Sequence, residues 1–110
     1  MISFHEQKFW QDSYVALMDI HDALDDGDSG DRVVAGVLDA AEKVASMIAD
    51  ALTRVDRRVS QNLMFDAVGQ VAVTRTQLAI AWGRGLVDDE TFRAIDGKYA
   101  SLSSSLQQYK

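Results

Sequence analysis

Apolar residues recur along this chain at steps of three, four and seven. Trp10, Tyr14, Leu17, His21 and Leu24 form one such seam, and Val34, Val37, Ala41, Val44, Ile48, Leu52 and Val55 form a second. Met64, Val71, Leu78 and Trp82 give a third, and Phe92, Ile95, Tyr99, Leu102, Leu106 and Tyr109 a fourth. Steps of this kind keep apolar side chains on one stripe of an α-helix, so the chain predicts four amphipathic helices. The middle of the second segment, Ala40 to Arg54, is AAEKVASMIADALTR. It lacks Gly and Pro and has high helix propensity. Ala41, Ala45 and Ala49 lie beside the stripe of Val44, Ile48 and Leu52, small enough to let another helix approach.

Polar residues mark the ends of these segments. Ser3 and Glu6 fit a capping box, with Ser3 at the N-cap. The acidic, Gly-containing run Asp25 to Asp31 stops the first helix, and Asp28, Ser29 and Asp31 are all suited to cap the second. From Val37 to Val68 there is neither Gly nor Pro. A single helix through that region would exceed ~45 residues, far above the usual length. A break is therefore predicted within Val55 to Ser60, with Asp56 or Ser60 capping the third helix. That helix runs to about Gly83, where Arg84 and Gly85 supply a C-terminal cation and a C′ glycine. Asp88, Asp89 and Glu90 cap and charge the start of the fourth. Its other face, Arg93, Asp96, Lys98, Ser101, Ser104 and Ser105, is expected to meet solvent. Short connections predict an all-α, up-down-up-down four-helix bundle, a single domain over residues 1–110.

The third helix is apolar on more than one side. Phe65, Val73 and Ile80 fall roughly opposite its core seam, which predicts a second interface and hence a homo-oligomer. Phe9 and Ile20 of the first helix are the candidates to meet them. Gly69, inside the same helix, costs about 1 kcal/mol against Ala and suggests a close helix approach. Arg75 lies at the seam edge and needs a carboxylate, from Asp50, Glu42 or a neighbouring subunit. Trp10 and Trp82 are read as core or interface anchors rather than a platform for stacked bases.

Composition narrows the chemistry. The 110 residues include no Cys and no Pro, and the net charge is −6. No thiol nucleophile, disulfide or thiolate metal site is therefore available. The start of the chain, MISFHEQKFWQD, is charged and unlike a secretory signal. No apolar run approaches ~18 residues, so no membrane span and a cytoplasmic location are expected. An acidic balance argues against a general affinity for nucleic acid. Arg54, Arg57 and Arg58 form the one basic cluster, a candidate anion or nucleic-acid contact or simply cations at a helix C-terminus. His21 and Asp25 are one turn apart but too few to make a metal site. Asp25 to Asp31 faintly resembles a calcium loop, but counted from Asp26 it lacks the sixth-position Gly, and Val37 stands where the bidentate Glu belongs. Neither a cofactor site nor a catalytic constellation is found, so no enzymatic activity is expected.

Over nearly its full length the chain resembles the four-helix-bundle proteins encoded by intervening sequences of bacterial 23S rRNA genes, a group that shares its bundle with the accessory variability proteins of diversity-generating retroelements. The opening F-x-x-L-x-V-W-Q is matched at Phe4, Trp10 and Gln11, with Phe9 for the Val and Gln7 departing. The second-helix pattern A-A-x-S-I-P-S-N-I-A-E-G, followed by Arg, is matched at Ala40, Ala41, Ser46, Ile48, Ala49 and Arg54. Val44 and Asp50 are conservative there, while Lys43, Ala45, Met47 and Ala51 depart. Gly69, Thr76, Gln77 and Leu78 match the third helix, with Arg75 replacing a Glu, and Gly85-Leu86-Val87 matches the following turn. The resemblance implies a non-enzymatic bundle that assembles with itself, commonly as a pentameric ring. Its retroelement branch is basic and implies an alternative role, as a nucleic-acid-binding accessory subunit of a reverse transcriptase.

Overall fold

Three aspartates set where the helices begin. The computed structural model describes residues 3–24 and 30–109. Asp31 accepts a hydrogen bond from the Val33 amide at 2.8 Å and opens α2, Arg32–Thr53. Asp56 accepts from the amides of Arg58 and Val59 and opens α3, Arg57–Gly83. Asp88 accepts from the Thr91 amide and opens α4, Asp89–Gln107. Each carboxylate satisfies helix N–H groups that have no partner within the helix, at the end where negative charge is favoured. The predicted break thus falls where Asp56 stands, with Arg54 extended between α2 and α3. At the far end of α3, Gly85 takes a positive φ of 76°. The Leu86 amide reaches the Ala81 carbonyl and the Gly85 amide that of Trp82, a Schellman ending that needs a residue free of Cβ strain.

The N-terminus differs from the capping-box expectation. Ser3 caps only a single 3-10 turn, Phe4–Glu6, accepting from the His5 amide. Gln7 is extended, and α1 begins afresh at Lys8–Leu24. The turn lays Phe4 and His5 against Trp10, with ring centroids 5.5 and 4.9 Å away.

Each helix buries a heptad seam. The buried side chains are Ser13, Ala16, Leu17, Ile20 and Leu24 on α1, then Val34, Val37, Ala40, Ala41, Val44, Ala45, Ile48 and Ala51 on α2. On α3 they are Ser60, Met64, Ala67, Val71, Thr74, Leu78 and Ala81, and on α4 Ile95, Tyr99, Leu102 and Leu106. Side chains repeating in this way pack as in a coiled coil, and four such helices enclose one core. Among the described residues each helix touches only its two sequential or cyclic neighbours: α1 with α2, α2 with α3, α3 with α4, and α4 with α1. Neighbours run antiparallel. Gln70 of α3 donates to the Ala40 carbonyl of α2, while Ser60, earlier in α3, bonds the Ala51 carbonyl later in α2. Phe9 at the start of α1 meets Tyr109 beyond the end of α4. The result is an up-down-up-down four-helix bundle with extents of 43 × 22 × 20 Å.

Several expected positions move. Trp10 and His21 are only half-buried and Tyr14 is exposed, because the small side chains Ser13 and Ala16 take the α1 interior. The Ser13 hydroxyl donates to the Trp10 carbonyl at 2.7 Å, so its burial leaves no unpaired group. Val55 lies in the α2–α3 turn, wholly exposed. Trp82 is exposed too, and Ala81 takes the buried place. A Cβ on Gly69 would meet nothing within 4 Å, so no helix approaches there; the tight spot is Gly36, where a Cβ would stand 3.0 Å from Gln77 Oε1. Arg75 pairs with Asp96 of α4, through Nε at 2.8 Å and Nη2 at 3.0 Å, rather than with Asp50 or Glu42. Asp96 therefore leaves the solvent face expected of it.

Candidate functional site

The outward side of α3 is the candidate site. Successive residues of a helix are about 100° apart. On that count Phe65, Val73 and Ile80 lie within about 80° of one another. They lie about 100–180° round from the seam of Met64, Val71 and Leu78. They remain 55%, 47% and 44% exposed, respectively, although each is a large apolar side chain. Between them the helix presents Gly69, Ala72 and Thr76, also exposed. From Phe65 to Gly83 the charged residues of α3 are Asp66 and Arg75, and Arg75 is held against Asp96. The sequence revealed the large residues of this face but not the role of Gly69, which read as a packing glycine. Its exposure follows from its position 40° round from Phe65, on the same outward side.

The two residues of α1 proposed to join this surface do not. Ile20 is fully buried in the core. It occupies a heptad position with Leu17 and Leu24, so it is a core residue and not an interface one. Phe9 is half-buried, its ring edge-on to Tyr109 at 5.8 Å. α1 also stands diagonally across the bundle from α3, without contact among the described residues. On the side toward α4, Trp82 stacks on Phe92 at 4.5 Å with planes 5° apart.

The basic cluster sits at the α2–α3 end. Arg54, Arg57 and Arg58 are all exposed. Arg54 Nε donates to Asp50 at 2.8 Å, so its charge is already matched, and that bond holds Asp50 below the usual carboxylate range. His21 lies half-buried on α1, and its partner in the sequence reading, Asp25, lies outside the described residues, as does most of the Asp25–Asp31 run. Asp31 itself is a helix cap. Among the described residues no group of three His, Asp or Glu side chains is placed to hold a metal ion. Among them too, no helix is long and apolar enough to cross a membrane.

Among the described residues, shallow grooves follow the helix pairs. One of about 510 Å³ between α1 and α4 is lined by Val15, Gly97, Ser101 and Leu102, with Lys8, Asp12 and Lys98 at its edges. Those charges are already engaged, Lys8 with Asp12 and Lys98 with Asp19. A groove of about 360 Å³ between α1 and α2 has the rings of Phe4, His5, Trp10 and Tyr14 on one wall and Ala45, Ser46 and Ala49 on the other. Trp10 and Tyr14 stack on each other at 5.1 Å, which spends their faces on one another. A third, about 420 Å³, lies between Ala72, Thr76 and Ala79 of α3 and Phe92 of α4, beside the outward face. The one buried phenol, Tyr99, has no hydrogen-bond partner among the described residues. Burial, with Asp19 nearby, pushes its pKa above the ordinary tyrosine range, so it stays a neutral core group.

No known family model matches the chain, and no curated protein matches it.

Proposed function

We propose that this protein is a non-enzymatic, cytoplasmic interaction module that associates with itself through the outward face of α3. One observation carries the reading: Phe65, Val73 and Ile80 stand exposed on one strip, pointing away from a core that is complete without them. Burying such side chains is worth roughly 1.5–3 kcal/mol each. That gain is open to whatever covers them, and an uncharged strip favours a partner surface that is likewise uncharged. The family resemblance adds a closed ring of copies as one form of the assembly.

Light scattering on the purified chain at tens of micromolar is the test. The expected mass is a multiple of 12.1 kDa. Changing Phe65 and Ile80 together to Ser should give a smaller species that is still helical. A lone 12.1 kDa species from the unmodified chain would sink the proposal. The rival role, an accessory subunit that binds nucleic acid for a reverse transcriptase, has less support. The chain carries −6 net charge, and Arg54 is already paired with Asp50. Tight RNA binding that weakens steeply with salt, and that fails when Arg57 and Arg58 are replaced, would put that role first.

A further inference from the structure

We infer that the outward face of α3 meets the same face of a second copy, antiparallel, across a two-fold axis between Ala72 and Val73. This rests on the self-association proposed above and gives it a two-fold symmetry, in place of the closed ring that the family resemblance implies. The exposed residues of the face are Phe65, Gly69, Ala72, Val73, Thr76 and Ile80. Their order is large, small, a central pair, small, large, and the steps between them, 4, 3, 1, 3 and 4, read the same in both directions. All six fall within about 100° of helix circumference at 100° per residue.

A face with that symmetry is complementary to itself only when turned end for end. An axis between Ala72 and Val73 sets Phe65 level with Ile80 of the second copy and Gly69 level with Thr76 of the second copy. The small residues then meet near the centre, where the backbones must come closest, at the usual 8–10 Å between helix axes. The large residues close both ends. Charge agrees with this arrangement. Asp66 lies level with uncharged Ala79 of the second copy. It stands about 20 Å along the helix from the other Asp66 at 1.5 Å per residue, beyond the screening length of about 8 Å at physiological salt. A parallel, in-register pairing would bring the two Asp66 side chains to the same level. A two-fold contact of one surface with itself is also the commonest form of self-association. The strip from Phe65 to Ile80 is about 22 Å long, half of the 43 Å bundle. One helix diameter wide, about 10 Å, the strip covers roughly 220 Å², less than the standard patch of about 800 Å² per partner, so the dimer should form at micromolar rather than nanomolar concentration.

The chain has no Cys, so single-cysteine variants report cleanly. Near the axis the two copies of position 72 come within disulfide reach, under about 7 Å between Cα atoms. Mild oxidation of A72C should give a covalent dimer of about twice 12.1 kDa, while S101C, on exposed α4 surface, should not. G69L should keep the helical spectrum, because its Cβ meets nothing within the monomer. It should weaken association at least tenfold by filling the central notch. A mass of two chains with the A72C cross-link supports the two-fold contact. A larger assembly without that cross-link, or a dimer that G69L leaves intact, overturns it while self-association stands. A monomer of the unmodified chain overturns both.

Discussion

Tyr99 is the residue whose chemistry fits its place least well. Its ring fills the core at no exposure, yet its hydroxyl finds no partner among the described residues. Ser13, Ser60 and Thr74 are also buried, but each bonds a helix carbonyl: Ser13 that of Trp10, Thr74 that of Gln70, and Ser60 that of Ala51 as well as the Tyr109 hydroxyl. An unpaired buried hydroxyl costs about 1–3 kcal/mol. Tyr99→Phe removes the hydroxyl and keeps the ring, so urea unfolding should show stability unchanged or raised by about 1 kcal/mol. A clear loss would mean that the hydroxyl is bonded in solution. The carboxylates make a second prediction. The Thr91 amide and hydroxyl hold Asp88 below its ordinary 3.8, and the Arg54 guanidinium does the same to Asp50. A group whose folded pKa is depressed contributes stability above its unfolded value and loses it as pH falls through the folded one. Thermal midpoints should therefore hold level from neutral pH to about 5 and fall once pH passes below 3.8. Asp88→Asn should flatten part of that fall, since a neutral cap no longer titrates.

Among the elements, α3 shows most clearly what the sequence disclosed and what it hid. Gly69 is exposed with open space at its Cβ, so Gly69→Ala should stabilise the bundle by about 0.5–1 kcal/mol through helix propensity and the unfolded chain. Gly36→Ala should gain less, because its Cβ arrives 3.0 Å from Gln77 Oε1 and that side chain must swing aside. Paired denaturation curves decide this, and an equal gain at both sites would mean the Gln77 contact is not held. The ends of α3 were legible, since Asp56 and Gly85 act through strictly local geometry. Its apolar outward residues were legible from period alone. The seam was only half legible. Thr74 and Ser60 count as polar in any pattern, but their hydroxyls bond back to carbonyls and they pack as small apolar residues. On α1 the same substitution misled further. Burial of Ser13 and Ala16 turned the helix so that Trp10 and Tyr14 flank the core rather than fill it, and Ile20, read as surface, went to its centre. The partner of Arg75 could not be read at all, because Asp96 is distant in the chain and comes near only once α3 and α4 align.

At the scale of the whole molecule the four helix contacts are unequal. α2 and α3 share the most extensive one, and α1 and α4 the least. They are also the two longest helices, joined by three residues from Arg54 to Asp56. Hydrogen bonds tie them near one end, Ser60 to Ala51, and near the middle, Gln70 to Ala40. α1 has 17 residues, and its side toward α4 is the open groove of about 510 Å³. Links between the two helices include the Lys98–Asp19 pair and the Phe9–Tyr109 contact. A partly exposed ion pair and one ring contact contribute little beside a shared heptad seam. Local opening follows such differences in buried contact. Amide hydrogen exchange should therefore find α1 opening first, at a free energy below that of global unfolding, while the central amides of α2 and of the inward side of α3 exchange only when the whole chain unfolds. Association through α3 would add protection on that helix alone, and dilution below the dimer range separates that effect from intrinsic stability. If α1 amides at high dilution prove as protected as those of Val44 and Ile48, the bundle unfolds as one unit and the α1–α4 edge is not its weak side.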